Sequence, residues 1–450
     1  MVSRHGSRRG LPGLLVAAAV AVVVSPQSGH AQPAPVATAR PSPMRAHLLT
    51  IEAMIEQGRI VEARDALAAT PRTEEFARVY GGFLDARIAE ATGDLSAARD
   101  GYRAILAERP ELARVRHSLA RVLAAIGDHQ AARHHYELIL GADVGSDVAE
   151  RLRNDIDAMN RAKHWTAQVM FSLVPTSNLS NGTAAGSVLI GGIPFVPAAA
   201  AQQKGGLAAV YGVQIAHRMP VFDDMGILST FGTTHTDGPG RTWDQRTVEA
   251  TIGPQFRLGA GVVTLEALAS RTWFGVDPYS LTWGARLGGR FLLSDQWRLT
   301  ASTTLTRQQF DQAPWQTGPR STTTVALDRS MGSHGFVRLK ATHDHQKAEL
   351  AHLSHHDIGG SIGFYWEAPW GITVFPEVGH AERYHTGDFP LTSSPRHDRR
   401  TSIGTTVTKR DLSILGLAPK LIYSYTRNTS NIDLYTYSRH DLNLTLTKEF

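Results

Sequence analysis

From Trp165 to Phe450 the chain repeats one pattern, short runs in which apolar and polar residues alternate, divided by turns. Alternation with a period of two sends the two residue sets to opposite faces of a strand. "WTAQVMFSLVP" puts Trp165, Ala167, Val169, Phe171 and Leu173 on one side. Leu281, Trp283, Ala285, Leu287 and Phe291 alternate with Thr282, Arg286 and Arg290, and Trp297, Leu299, Ala301 and Leu305 alternate with Arg298, Thr300, Ser302 and Thr304. The final run sets Leu442, Leu444, Leu446 and Phe450 against Arg439, Asp441, Asn443, Thr445, Thr447 and Glu449. Fourteen such segments follow one another, at about 20 residues per strand and connector. One half-buried strand suits a soluble sheet equally well, so the joints between strands decide. They too alternate. "FDDMG", "GAG", "SDQ", "MGSHG" and "APWG" are short; residues 176–205, "DGPGRT", "VDPYS", "DQAPWQTG", 346–356 and 386–397 are longer and polar. Short turns at one end and long loops at the other describe a membrane barrel. Lipid offers no hydrogen bonds to backbone, so the strands must close on themselves. A soluble sandwich repeats strands without that asymmetry. Tryptophans near strand ends (Trp165, Trp243, Trp273, Trp283, Trp297, Trp366, Trp370) fit interfacial girdles. The expected fold over 164–450 is a 14-stranded antiparallel transmembrane β-barrel.

Composition agrees. Charged residues make up 19% and mean hydropathy is −0.19, too polar for a helical membrane protein and under-charged for a soluble one. The first residues read as a secretory signal over 1–31: Arg4, Arg8 and Arg9, then "LPGLLVAAAVAVVV", then small residues around Ala31. That apolar run is too short to span a bilayer comfortably. With no cysteine, there is no disulfide framework and no thiolate metal site. The net charge of +5 owes several positives to the signal region, and no nucleic-acid-binding signature accompanies it.

After a linker over 32–43, residues 44–163 carry an internal repeat. "GDLSAARDGYRAIL" and "GDHQAARHHYELIL" begin at Gly93 and Gly127, 34 residues apart, with a weaker copy, "GRIVEARDAL", from Gly58. The segment resembles tetratricopeptide repeats, a solenoid of helix pairs. Within that resemblance Gly93 and Gly127 occupy the turn between helices, Ala98 and Ala132 allow close helix contact, and Tyr102 and Tyr136 fill the interface with the next repeat. The first helices lack the usual tryptophan. Tyr80, Phe83, Arg87 and Glu90 share one helix face; by the same resemblance they look into a concave groove with Arg114, His117 and Arg121. Aromatics and arginines there suit an acidic or polar polypeptide, while an ordinary solvated helix face gives the same pattern.

A signal, a short helical array and a fourteen-stranded barrel opening on "PTSNLSNG" (residues 175–182) resemble the surface lipoprotein assembly modulators of Gram-negative bacteria. The resemblance implies an outer-membrane translocator that delivers surface lipoproteins or related secreted proteins to the cell surface. It implies a periplasmic helical domain that captures cargo, and partners comprising membrane lipid, the barrel-assembly machinery and a secreted or lipidated protein. Leu442, Leu444, Leu446 and Phe450 then form the barrel-insertion signal. Arg257, Arg286, Arg290, Arg298 and Arg439 lie on the lumen-facing parity, as transport groups or as structural partners of Glu249 and Asp441. The alternatives are an exopolysaccharide export porin or a diffusion porin with a helical adaptor. Neither a G-x-S-x-G elbow nor an HExxH helix is present, so no catalytic residue, enzyme activity or cofactor is expected. His343, Asp344, His345, His352, His355, His356 and Asp357 crowd one stretch, expected as a surface loop with no assigned metal.

Overall fold

In the computed structural model, residues 42–142, 144–162, 164–240, 243–409 and 418–449 are described. The signal segment and Phe450 lie outside these residues. Among these residues seven helices precede the strands: α1 (Pro43–Glu56), α2 (Ile60–Ala68), α3 (Glu75–Ala91), α4 (Leu95–Glu108), α5 (Ala113–Ile126), α6 (His129–Leu140) and α7 (Ser146–Ala162).

The repeated Gly-Asp pair explains where these helices stop and restart. Gly93 (φ 83°) and Gly127 (φ 96°) adopt the left-handed conformation that glycine takes without steric cost. The aspartate that follows caps the next helix: Asp94 accepts the Ala97 N–H at 3.0 Å and Asp128 the Ala131 N–H at 3.1 Å. Two residues thus end one helix and begin another, at a 34-residue interval. Inside, Leu48, Ile51, Leu67, Leu84, Leu119 and Leu152 form one core with Tyr102 and Tyr136. Ala98 and Ala132 are wholly buried, so no larger side chain enters there without overpacking.

The remaining elements are strands: β1 (Trp165–Thr176), the small hairpin β2 (Val188–Ile190) and β3 (Ile193–Phe195), β4 (Gly206–Phe222), β5 (Met225–Asp237), β6 (Gln245–Leu258), β7 (Gly261–Phe274), β8 (Asp277–Leu292), β9 (Trp297–Phe310), β10 (Gly318–Ser330), β11 (Gly335–Gln346), β12 (His355–Ala368), β13 (Ile372–Asp388), β14 (Pro395–Lys409), β15 (Ala418–Ser430) and β16 (Tyr437–Glu449). All but β2 and β3 form one closed antiparallel barrel of fourteen strands, each paired with its sequence neighbour and β1 closing on β16. The seam pairs Leu173 with Leu444 and Phe171 with Leu446. Outward positions carry the exposed apolar residues, among them Val169, Phe171, Ile215, Leu265, Leu287, Leu305, Ile362 and Leu444.

Inward positions carry ion pairs. Arg338 grips Asp328 with two hydrogen bonds of 2.7 and 2.8 Å, and Arg383 grips Asp357 at the same two distances. Lys340 reaches Glu377 at 2.6 Å. Such two-pronged arginine–carboxylate contacts are the strong form of the charged hydrogen bond.

Two expectations need correction. "VDPYS" is no long loop: β7 ends at Phe274 and β8 starts at Asp277, around Gly275 at φ 57°. Tyr279 belongs to β8, its ring set edge-on to Phe274 (4.6 Å) and Phe310 (5.4 Å). Nor is the histidine-rich stretch one loop. Six of its seven histidines and aspartates lie on β11 and β12, where alternation divides them: Asp344, His355 and Asp357 are buried, while His343 and His345 are exposed.

Residues 177–205 fold over the ends of β1 and β16. Asn178, fully buried, donates to the carbonyls of Gly182 (2.8 Å) and Ser438 (3.2 Å) and accepts the Gly182 N–H (3.0 Å). Ser177 exchanges backbone and side-chain bonds with His440 at 2.9 and 2.8 Å. The "PTSNLSNG" stretch therefore clasps the closing seam. Asn178→Ala takes one partner each from the Gly182 and Ser438 carbonyls and from the Gly182 N–H, which keeps Ser180 Oγ at 3.2 Å, at about 1–3 kcal/mol for each buried group left unsatisfied. A lower temperature for conversion of the folded to the unfolded band in semi-native electrophoresis is the expected result. Ser180→Ala, which removes more exposed bonds, shifts it less.

Candidate functional site

The seven groove residues expected from the sequence lie on α3 and α5, and the structure ties most of them together. At the centre is a residue the sequence reading missed, Glu52 of α1, only 5% exposed. It accepts hydrogen bonds from the Tyr80 hydroxyl, from Arg87 at 3.1 Å and from Arg114. A turn of the array later, Glu90 accepts from the Tyr102 hydroxyl at 2.7 Å and from Arg121. His117 stands 3.9 Å from Asp155 of α7 and beside the Tyr136 ring. Phe83 is core, 2% exposed, between Tyr80 and Tyr102 with the Arg114 guanidinium 5.2 Å from its centre. Glu52 was detectable in principle: it is an acid among Leu48, Ile51 and Ile55 on the apolar face of α1.

Burial governs the titration of this face. It raises the Tyr80 hydroxyl, with Glu52 adding to the effect, and pushes Tyr136 up to about 12. His117 is held below its ordinary value, first by burial and then by Arg121. The carboxylates are thus met by neutral hydroxyl donors as well as by guanidinium groups. Two hollows flank Arg114. One, of about 330 Å³, has Phe76, Val79, Tyr80, Phe83 and Leu112 as its floor. The other, of about 510 Å³, lies between α5 and α7 with His117, Val148 and Asp155 in its lining.

The same helices bind the barrel's short-turn end. Arg116 of α5 is 0% exposed and 2.6 Å from Glu367 of β12. Its other contacts are His135 (3.1 Å) and the Pro110 carbonyl (2.6 Å). His134 stands 3.3 Å from Glu367 and 3.0 Å from the Tyr365 hydroxyl, which itself donates to Glu367 at 3.1 Å. Alongside, Glu137 of α6 pairs with Arg298 and lies 4.0 Å from Arg290, and Arg153 of α7 pairs with Asp295 in the β8–β9 turn. α4 packs against the Pro369–Gly371 turn, where Trp370 takes a left-handed φ of 67° that a bulky residue seldom adopts. At Gly141 the approach is so close that an added Cβ would stand 2.3 Å from Ser330.

The five lumen-parity arginines do not act as one group. Arg298 joins Glu137 to Asp328 (3.4 Å). Arg286 lies 3.5 Å from Glu249 and 3.8 Å from Glu266. Arg439 bonds Asp441 at 2.7 Å and Asn181 at 2.9 Å. Arg257 and Arg290 line a chamber of about 870 Å³ between α6, α7 and the inner wall. Of the insertion-signal residues, Leu442 and Leu444 are exposed on the outer face and Leu446 is half-buried.

The profile described as surface lipoprotein assembly modifier matches residues 165–450. Surface lipoprotein assembly modifier 1 of Haemophilus influenzae is 21% identical over 393 residues, covering 84% of this chain and 79% of that protein. The surface lipoprotein assembly modifier of Pasteurella multocida is 20% identical over 395 residues, covering 82% and 76%. Among solved structures, the outer membrane channel DcaP of Acinetobacter baumannii aligns with a TM-score of 0.36 and 9% identity, over 64% of this chain and 96% of that one.

Proposed function

The chain belongs to the surface lipoprotein assembly modifier family, and on that premise we propose that it is an outer-membrane translocator delivering surface lipoproteins or related secreted proteins to the cell surface. The helices, read as tetratricopeptide repeats, face the periplasm and capture the cargo on the α3–α5 face. The barrel provides the route across, and the role involves no catalysis. One observation carries the reading: the helical domain is bound by a buried ion pair, Arg116–Glu367, and a half-buried one, Arg298–Glu137, to the barrel's short-turn end, the end that faces the periplasm in outer-membrane barrels. A groove for cargo and an entrance to the barrel thus adjoin each other. Helices seated at the entrance support a gated route over a permanently open diffusion pore.

The test is expression of a candidate surface lipoprotein with and without this gene, scored by protease accessibility of the lipoprotein on intact cells. Accessibility is expected only when the gene is present. Equal shaving in both strains removes the proposal.

A further inference from the structure

The outward wall of the barrel changes character toward the long-loop end of β12–β15. Ile362, Val378, Ile403 and Leu421 stand exposed on its apolar part. Alternation and register carry the same face onward to a polar row. Val378 pairs with Ile403, Glu382 with Arg399, Tyr384 with His356 and His397, and Thr401 with Arg427. About ten strand residues separate Arg399 from the short-turn end of β14, which gives about 25 Å of height for a tilted strand. That is the height of a lipid-facing band, so the row stands at its outer boundary, where lipid headgroups begin and an outward arginine costs little.

The row is ordered by its own contacts. The Tyr384 ring stacks between His356 at 5.2 Å and His397 at 4.3 Å. Glu382, the carboxylate of the row, accepts from the Tyr384 hydroxyl and lies 3.1 Å from His397 Nε2. The two arginines are held less closely. The Arg399 side chain is 63% exposed, and its ion-pair contact among the described residues is Glu382 at 3.9 Å, beyond hydrogen-bond distance. Arg427 is exposed and makes no ion pair among the described residues. Arg399 faces Thr429 and Arg427 faces Thr401, which makes the two arginines diagonal neighbours across β14 and β15. Side chains on such a diagonal start about 7–8 Å apart. Two guanidinium groups so placed can close on one phosphate from either side.

We propose that the outer wall of β13–β15 is a binding site for a lipid with a phosphorylated headgroup. The phosphate sits between Arg399 and Arg427, and the acyl chains run down the wall over Ile403, Val378 and Leu421. Two features select a lipid as the occupant. The guanidinium pair complements a phosphate, and the patch is continuous with the apolar wall that the bilayer covers. A phosphate monoester, close to doubly charged at neutral pH, is favoured over a zwitterionic headgroup, whose ammonium group meets like charge. The site needs only the barrel in its membrane and stands apart from the translocator reading.

The test uses the full chain purified in detergent. It is mixed with phosphatidic acid, with phosphatidylcholine of the same acyl chains, or with phosphatidic acid plus excess water-soluble glycerol phosphate, and bound lipid is counted by native mass spectrometry. Phosphatidic acid should be retained in preference to phosphatidylcholine, with little competition by glycerol phosphate. The Arg399→Gln/Arg427→Gln variant should bind phosphatidic acid about thirtyfold more weakly, the loss expected for two arginines at an anionic lipid surface, and Arg399→Lys/Arg427→Lys should keep most of the binding. Arg307, exposed on the outward face of β9, serves as the control for place; Arg307→Gln should leave retention unchanged. A heat-modifiable band identifies the folded barrel in every variant. Equal retention of phosphatidylcholine, undiminished binding by the folded glutamine variant, or an equal loss in Arg307→Gln overturns the proposal. Displacement by glycerol phosphate overturns it as well, marking a site for free phosphate. Lipid retention is read on the purified protein and lipoprotein exposure on cells, so either reading can fail while the other stands.

Discussion

Glu367→Ala should release the helical domain from the barrel. The carboxylate is the common partner of Arg116, His134 and the Tyr365 hydroxyl, and Arg116 is entirely shielded from water. Removing it leaves a buried guanidinium with no counter-charge, a change that costs about 3–5 kcal/mol when one member of a buried pair is deleted. Glu137 with Arg298 and Arg153 with Asp295 still hold the same two bodies. The loss therefore acts on the equilibrium between seated and unseated helices more than on either fold. A loss of that size moves the seated-to-unseated ratio by about two to four powers of ten. In planar bilayers the variant should show frequent long openings where the parent protein is quiet, and its α5–α6 region should be cut faster by protease. Glu367→Gln keeps a hydrogen-bond acceptor and should fall between the two. Unchanged conductance with unchanged protease protection would mean that this contact holds nothing shut.

How far the sequence alone reaches depends on the range of the forces involved. The barrel was legible because alternation is a local property repeated fourteen times and because turn lengths alternate with it. Helix boundaries were legible for the same reason: Gly93 with Asp94, and Gly127 with Asp128, carry the stop and start signals in adjacent residues. The contact between Arg116 and Glu367 was not, since nothing near either residue in sequence marks the other. Glu52 likewise escaped attention, because its partners come from α3 and α5. The histidine-rich stretch misled in an instructive way. Density in sequence suggested a cluster, but a strand sends neighbours to opposite faces, so Asp344 bonds Thr322 and Arg320 inside while His343 and His345 are exposed. "VDPYS" failed because Pro278 and Tyr279 read as loop residues, whereas packing of Tyr279 between Phe274 and Phe310 draws them into the strand.

The second large effect is expected at Glu52, where structure and recognition are separable. Glu52→Ala deprives Arg87, Arg114 and Tyr80 of one acceptor. Arg114 is more than half exposed and regains water, whereas Arg87 is about a fifth exposed and loses more. The cost is accordingly set below the full penalty for a broken buried pair, at about 2–3 kcal/mol. It should appear as an early helical transition in thermal circular dichroism of the intact protein. The informative companion is Glu52→Leu with Arg87→Met. Replacing a buried ion pair by apolar side chains of similar volume is often neutral or stabilising, and here the new side chains meet Leu48, Ile51 and Ile55. Thermal stability should return close to the parent value. Surface exposure of the lipoprotein should stay low, because Arg114 has lost its positioning carboxylate and the face its charge pattern. If the double variant recovers stability and export together, Glu52 serves only to hold α1 against α3. The proposed capture role then passes to the hollow between α5 and α7.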